Sequence, residues 1–270
     1  MRASNLMKII ALLMAALAVF LTASCSLTGG DAEETTTESE VVTLSVRPNT
    51  LQEIVYFYND AANAIKVKKP AAESKVWADV RDVDTGDNAD AKALIAFAEH
   101  FADALDEQKE TKEYGSDLND LLPLRGTPDV SLLIPENVAE ATLTDKEDDR
   151  FQYDVYLKLK DGGENGPASA AFDLGADKKE ILNTFTSYRD TVEVSDYDVS
   201  YRECEIFAQI DKQTNEVVSL RLVKNAIVTA DVNFTGTLAS MGETHISFNL
   251  RQTQELTFNW QPPVSETDAD

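Results

Sequence analysis

Residues 197–210 read YDVSYRECEIFAQI, and within them the apolar phase changes. Tyr197, Val199 and Tyr201 put apolar groups on odd positions, whereas Cys204, Ile206, Ala208 and Ile210 put them on even ones. Successive side chains of a strand point to opposite faces, so a slip of one residue exchanges the faces. One extra residue near Arg202 and Glu203, most simply a β-bulge, keeps both halves on one buried face and bends the sheet. A bent strand with one apolar face needs neighbours of the same kind and a layer to cover it.

Both requirements are met by the flanking sequence. Downstream, the turn DKQTN (211–215) leads into Val218, Leu220 and Leu222. After a break at Lys224 and Asn225, the same phase resumes at Ala226, Val228, Ala230, Val232 and Phe234. THISFNL (244–250) and ELTFNW (255–260) continue the alternation, which predicts an antiparallel meander. Upstream, FQYDVYLKLK (151–160) alternates through Phe151, Tyr153, Val155, Leu157 and Leu159, and residues 138–144 are expected to pair with it across DKEDD. KDGGENGP (160–167) is a breaker cluster, and ASAAF (168–172) reads as a further strand.

The covering layer is helical. Thr50 and Glu53 have the spacing of a capping box, and Leu51, Ile54, Val55, Tyr58, Ala61, Ala62 and Ile65 recur at helical period until Pro70 stops the run. A second helix is expected over 90–105 and a third over 177–188, with KVWADV (75–80) as a short strand and DVDTGDNAD (82–90) as a loop. The fold class is therefore α+β: amphipathic helices packed on a curved, mostly antiparallel β-meander, half-barrel-like in its finer form.

The N-terminal segment reads as an address. Arg2 and Lys8 precede an apolar run over residues 9–20, too short for the roughly 20 residues of a transmembrane helix. Thr22, Ala23 and Ser24 then precede Cys25, an arrangement that resembles the lipobox of bacterial lipoproteins, with Thr22 where that family places Leu, Val or Ile. The expected organisation is a signal peptide over 1–24, a lipidated Cys25 and disordered acidic tether over 25–47, one α+β domain over 48–261, and a tail over 262–270. The runs EIVYFYNDAANAIK (53–66), LLPLRGTPDVSLLIPENVAEATLTDKEDDRFQYDVYLKLKDG (121–162) and YRECEIFAQIDKQTNEVVSLRL (201–222) resemble a group of uncharacterised secreted lipoproteins of anaerobic Gram-positive bacteria. That resemblance implies location and fold, and assigns no catalytic residue.

Composition excludes one class of partner. Without residues 1–24 the chain has 22 basic and 48 acidic residues, a net charge of −26, and so repels phosphate backbones; nucleic acid is not an expected partner. Only Cys25 and Cys204 exist, so a lipidated Cys25 leaves no disulfide, and the domain must be held by its apolar core. A Cys25–Cys204 disulfide is the disfavoured alternative.

The chain shows no GxSxG, GxxxxGK[ST], HExxH or CxxC. His100 lies off its helix's apolar stripe and His245 on the polar phase of a strand, so both read as exposed. Cys204, flanked by Glu203 and Glu205, reads as a small buried hydrophobe rather than a reactive thiol. Asp82, Asp84, Asp87 and Asp90 are the candidate calcium ligands, but Asp87 and Ala93 occupy the positions where an EF-hand has Gly and Glu; a solvated acidic loop is the favoured reading. Trp77, Tyr56, Phe57 and Trp260 are candidates to line a sugar or lipid site, with packing as the default. No cofactor is expected. The leading functional expectation is a lipid-anchored extracytoplasmic surface domain, held to the membrane through Cys25, with a non-catalytic binding or scaffolding role towards an unknown extracellular ligand. The alternatives are a half-barrel lipid carrier with an apolar cavity under its helices, and a surface hydrolase using paired carboxylates with at least one pKa raised by burial.

Overall fold

The computed structural model describes residues 47–84, 107–119, 121–122, 133–146, 151–172, 174, 179, 183 and 190–263. Among them one α-helix, α1 (Leu51–Lys68), packs on an eight-stranded antiparallel sheet. The strands are β1 (Ala71–Asp84), β2 (Gln108–Lys112), β3 (Val138–Asp145), β4 (Gln152–Leu159), β5 (Val192–Tyr201), β6 (Glu205–Asp211), β7 (Val217–Phe234) and β8 (Glu243–Asn259). Their order is β2-β1-β8-β7-β6-β4-β3, with β5 also on β7; β2 and β3 are unpaired edges, so the sheet is not closed.

α1 begins where its capping box predicts. The Thr50 hydroxyl accepts from the Glu53 N–H at 3.2 Å, and the Glu53 carboxylate accepts from the Thr50 N–H at 3.1 Å, satisfying donors the first turn would otherwise orphan. The helix ends at Lys69, whose left-handed backbone (φ 51°) lets its N–H reach the Ile65 carbonyl, with Pro70 blocking continuation. Ile54, Val55, Tyr58, Ala61, Ala62 and Ile65 form its buried face.

The phase change at 197–210 is a bulge. Tyr201 pairs with Ala226 and Glu205 with Val223, so four steps on one strand oppose three on the other. β5 and β6 are thus two halves of one long strand beside β7. Glu203 takes up the extra residue with φ 51°, and the Asn225 side-chain amide donates to the Glu203 carbonyl at 2.8 Å. The Glu203 N–H donates to Asp161 at 3.0 Å, so the backbone groups freed from the ladder find partners. As a result Val199, Tyr201, Cys204, Ile206, Ala208 and Ile210 are all buried. A second irregularity pairs Ile210 with Val217 and Gln209 with Ser219, leaving Val218 as the extra residue and Val217 as the buried one.

Several expectations are corrected. β1 runs over 14 residues rather than six, because its core-facing side chains near the start, Ala72 and Ser74, are small and leave no apolar alternation to read. It therefore takes in Asp82 and Asp84, which end a strand rather than forming a loop. Residues 168–172 are no strand: Pro167 opens a 3-10 turn (Pro167–Ala170), and the short alanines bury there because the chain folds tightly, with Gly162 and Gly166 too close for a side chain. β7 is unbroken through Lys224 and Asn225, the irregularity lying in its partner at 202–204. THISFNL and ELTFNW are one strand, since Gln254 satisfies its amide on the Leu121 carbonyl (2.8 Å) and the Ser74 hydroxyl (3.2 Å). Of the further helices expected, 90–105 lies outside the described residues, as does 177–188 apart from Lys179 and Asn183, both of which are helical; α1 is the one helix described along its length.

The sheet's first face is its core. Leu157, Ile206, Ile210 and Val228 are fully buried, and α1, Leu118, Leu121, Leu122, Ala168, Phe172 and Leu174 contribute to the same cluster. Each such side chain contributes roughly 1.5–3 kcal/mol through burial, which is what stabilises a domain with no disulfide among the described residues.

Candidate functional site

The second face of the sheet presents an ordered row. By register, Thr142 of β3 lies opposite Tyr156 of β4, Tyr156 opposite Phe207 of β6, Phe207 opposite Arg221 of β7, Arg221 opposite Glu255 of β8, and Glu255 opposite Lys75 of β1. Side chains facing each other across strands are in contact range, so the row is one continuous surface. A trough of about 480 Å³ runs along it, lined also by Thr144, Asp154, Gln209, Ser219 and Thr257.

The aromatic part of the row is held in place. The Tyr156 and Phe207 ring centroids are 5.0 Å apart at 42°, and the Arg221 guanidinium carbon lies 4.1 Å over the Phe207 ring. The Tyr156 hydroxyl donates to Glu205 at 2.9 Å. Partial burial, followed by the Glu205 carboxylate, pushes the phenol up to about 12, so it is a neutral hydrogen-bonding group at ordinary pH. Gln209 joins the next row: its amide donates to Asp154 at 3.2 Å, and its carbonyl accepts from Ser219 at 3.0 Å and Lys146 at 3.3 Å. Each group owes its place to β-sheet register and so needs no flexible loop to position it.

The trough offers hydrogen-bonding and aromatic groups. Among the described residues lining the trough, the hydroxyl that meets a carboxylate is Tyr156, on Glu205. Among the described residues, the carboxylates with displaced pKa values, Glu53, Glu107 and Asp145, are all held below the usual range: Glu53 by the Asn49 and Thr50 backbone N–H groups, Glu107 by hydrogen bonding to Lys75 and Lys109, and Asp145 by hydrogen bonding to Lys212 and the charge of Arg47. A general acid requires the opposite direction.

A second, larger depression of about 720 Å³ lies where β5, β7 and β8 meet, lined by Glu193, Ser195, Asp231, Asn233, Glu243, Thr244 and His245. His245 Nδ1 is 2.7 Å from Asp231, but both side chains are more than half exposed, at 62% and 57%. The Ser195 hydroxyl donates to the Asp231 backbone carbonyl at 3.2 Å, so Ser195, His245 and Asp231 do not form a proton relay. The volume here is a wet, acidic rim without an aromatic surface, which is why the smaller trough is the better site.

The candidates named from sequence are scattered. Cys25, Asp87, Asp90 and His100 lie outside the described residues. Asp82 and Asp84 end β1, and among the described residues no three His, Cys, Asp or Glu side chains are placed to hold a metal. Cys204 is buried in the core and His245 is exposed, each as expected. Trp77 lies under the Lys75 ammonium at 5.0 Å, Phe57 meets Tyr153 edge to face at 6.1 Å, Trp260 donates to the Val217 carbonyl at 2.8 Å, and Tyr56 is exposed; they do not converge. Tyr156 and Phe207 were not singled out. The signal was present nonetheless, since each is an aromatic on the polar phase of its strand, between buried neighbours.

No family model matches this chain, and no curated protein or solved structure shows a match to it.

Proposed function

We propose that this protein is a lipid-anchored extracytoplasmic domain that binds a ligand without transforming it, and that the trough on the second sheet face is its binding surface. The observation supporting the binding role is the fixed Tyr156–Phe207–Arg221 row, half-buried aromatic groups where an amphipathic sheet otherwise shows polar side chains. A half-buried aromatic group held by a hydrogen bond and a cation needs little ordering on association, which favours binding. The anchor rests on Cys25 and the residues before it. Among the described residues no helix is long and apolar enough to cross a membrane.

The two alternatives have less support. A carrier needs an apolar cavity under the helix, whereas Tyr58, Leu157 and Ile206 fill that side. A hydrolase needs a raised carboxylate, and those displaced among the described residues are lowered.

Two experiments test the reading. Labelling cells with a tagged fatty acid should mark the wild type and leave Cys25→Ser unmarked; an unmarked wild type removes the anchor. The mature chain over 25–270 carrying Cys25→Ser should sediment with washed bacterial envelopes, and Phe207→Ala or Arg221→Ala should release it while His245→Ala does not. Equal sedimentation of all variants removes the trough as the binding face.

A further inference from the structure

We propose that the open edge of β3 is a surface for pairing with a second copy of this chain, and that the Arg47 side chain is the strap that keeps it shut. Backbone groups along an antiparallel strand point alternately to its two sides. The Lys146 N–H donates to the Gln152 carbonyl at the start of β4 at 3.0 Å, so even-numbered residues of β3 face β4 and odd-numbered ones face away. The Leu143 carbonyl has the outward phase, and it accepts from the Arg47 guanidinium at 2.8 Å. Ala141, Leu143 and Asp145 thus carry the outward N–H and C=O groups, and among the described residues no strand pairs with them.

β2 and β3 are protected differently. β2 guards itself with Lys109, Glu110 and Lys112 within five residues, whereas EATLT (140–144) of β3 has no lysine and no proline. Its guard comes from outside the strand. Arg47 takes the Leu143 carbonyl with one nitrogen, reaches Asp145 at 3.1 Å with another, and lies 5.7 Å from the Tyr153 ring centroid. The Arg47 and Asp145 side chains are 45% and 57% exposed, so this strap opens at little cost.

The edge without its strap complements itself. Antiparallel pairing about a two-fold axis at Leu143 sets Leu143 opposite Leu143 of the second copy and Ala141 opposite Asp145 of the second copy, so the outward groups exchange hydrogen bonds in phase. The same register sets Glu140 opposite Lys146 of the second copy, once at each end. Among the described residues neither has an ion pair: Lys146 is bonded to the neutral amides of Gln152 and Gln209, at 3.1 and 3.3 Å. Opposite charges facing each other across two strands favour the pairing, and no like charges meet in it. Moving the axis to Thr142 keeps the phase but sets Glu140 against Thr144 and loses both charge pairs. Thr142 and Thr144 line the trough, so the pairing sets the troughs of two copies side by side on one face. Arg47 occupies the central acceptor of this register, which is what makes it the gate.

The test is sedimentation velocity of the mature chain (25–270, Cys25→Ser) over a dilution series. With the strap in place the protein should stay monomeric, and Arg47→Ala should associate into a species of twice the mass as concentration rises. Asp145 keeps its bond to Lys212 in that variant, so the fold should hold, as judged by near-UV circular dichroism. Adding Ala141→Pro, which removes an outward N–H and no bond to β4, should return Arg47→Ala to the monomer. Adding Glu140→Lys instead should do the same by setting lysines opposite each other, and a further Lys146→Glu should restore association. A folded Arg47→Ala that stays monomeric, leaving the edge to another protein's strand, overturns the proposal. So does a dimer insensitive to Ala141→Pro and Glu140→Lys, or a strapped protein that associates as strongly as Arg47→Ala.

Discussion

At Glu203 the backbone takes φ 51°, a region non-glycine residues enter reluctantly, and the Asn225 side chain holds it there through the Glu203 carbonyl. Asn225 is 7% exposed, so its loss leaves that carbonyl with a poorer environment. Asn225→Ala is expected to lower stability by about 1–2 kcal/mol, read as a shift in the urea midpoint at constant slope. Tyr156 gives a prediction in pH. Its folded pKa, about 12, lies above the ordinary phenol value of 10.0, so its contribution is complete below pH 10 and is lost as pH rises towards 12. Thermal melts across that window should fall more steeply for wild type than for Tyr156→Phe; parallel curves would show that the Glu205 bond contributes nothing. At this scale the buried side of the chain was legible, because Cys204, Ile206 and Ala208 alternate cleanly. The site was not, because an out-of-phase Tyr156 or Phe207 gains meaning only when register sets one beside the other.

Among the elements, α1 was the most legible, since cap, apolar stripe and stop are all local and chemically explicit. Thr50→Ala removes the acceptor for the Glu53 N–H and should lower stability by about 1 kcal/mol, while Thr50→Asn, which restores an acceptor, should recover most of it. β1 was the least legible. Its first inward positions, Ala72 and Ser74, are small or polar, so only Val76, Ala78 and Val80 alternate as apolar groups, and its full length shows in the pairing with β8. β7 and β8 were read as broken for a related reason. Lys224, Asn225 and Gln252 sit inside long paired strands whose ladder hydrogen bonds tolerate a polar side chain on either face. Edge β2, with its sequence QKETK, is short and charged, which protects it from pairing with another chain.

For the whole molecule, the sheet separates two functions: one face is filled by the core, and the other holds a trough built from the same strands. The chain enters this domain where Arg47 donates to Asp145 and to the Leu143 carbonyl of edge β3. Asp145 is held low by Lys212 and Arg47, so its contribution is present above its unfolded value near 3.8 and is lost as pH falls through the lower folded value. Acid titration of stability should therefore be shallower in Asp145→Asn than in wild type, and identical acid limbs would dissociate this cluster from the fold. The claim on which the account turns is that the trough is the binding surface. Hydroxyl-radical footprinting of the mature chain, free and bound to washed envelopes, tests it most directly. Tyr156 and Phe207 should be protected on binding, while Tyr56, Tyr114 and Phe151, exposed elsewhere, should be labelled as in the free protein; protection of the latter three with Tyr156 and Phe207 unchanged would contradict it.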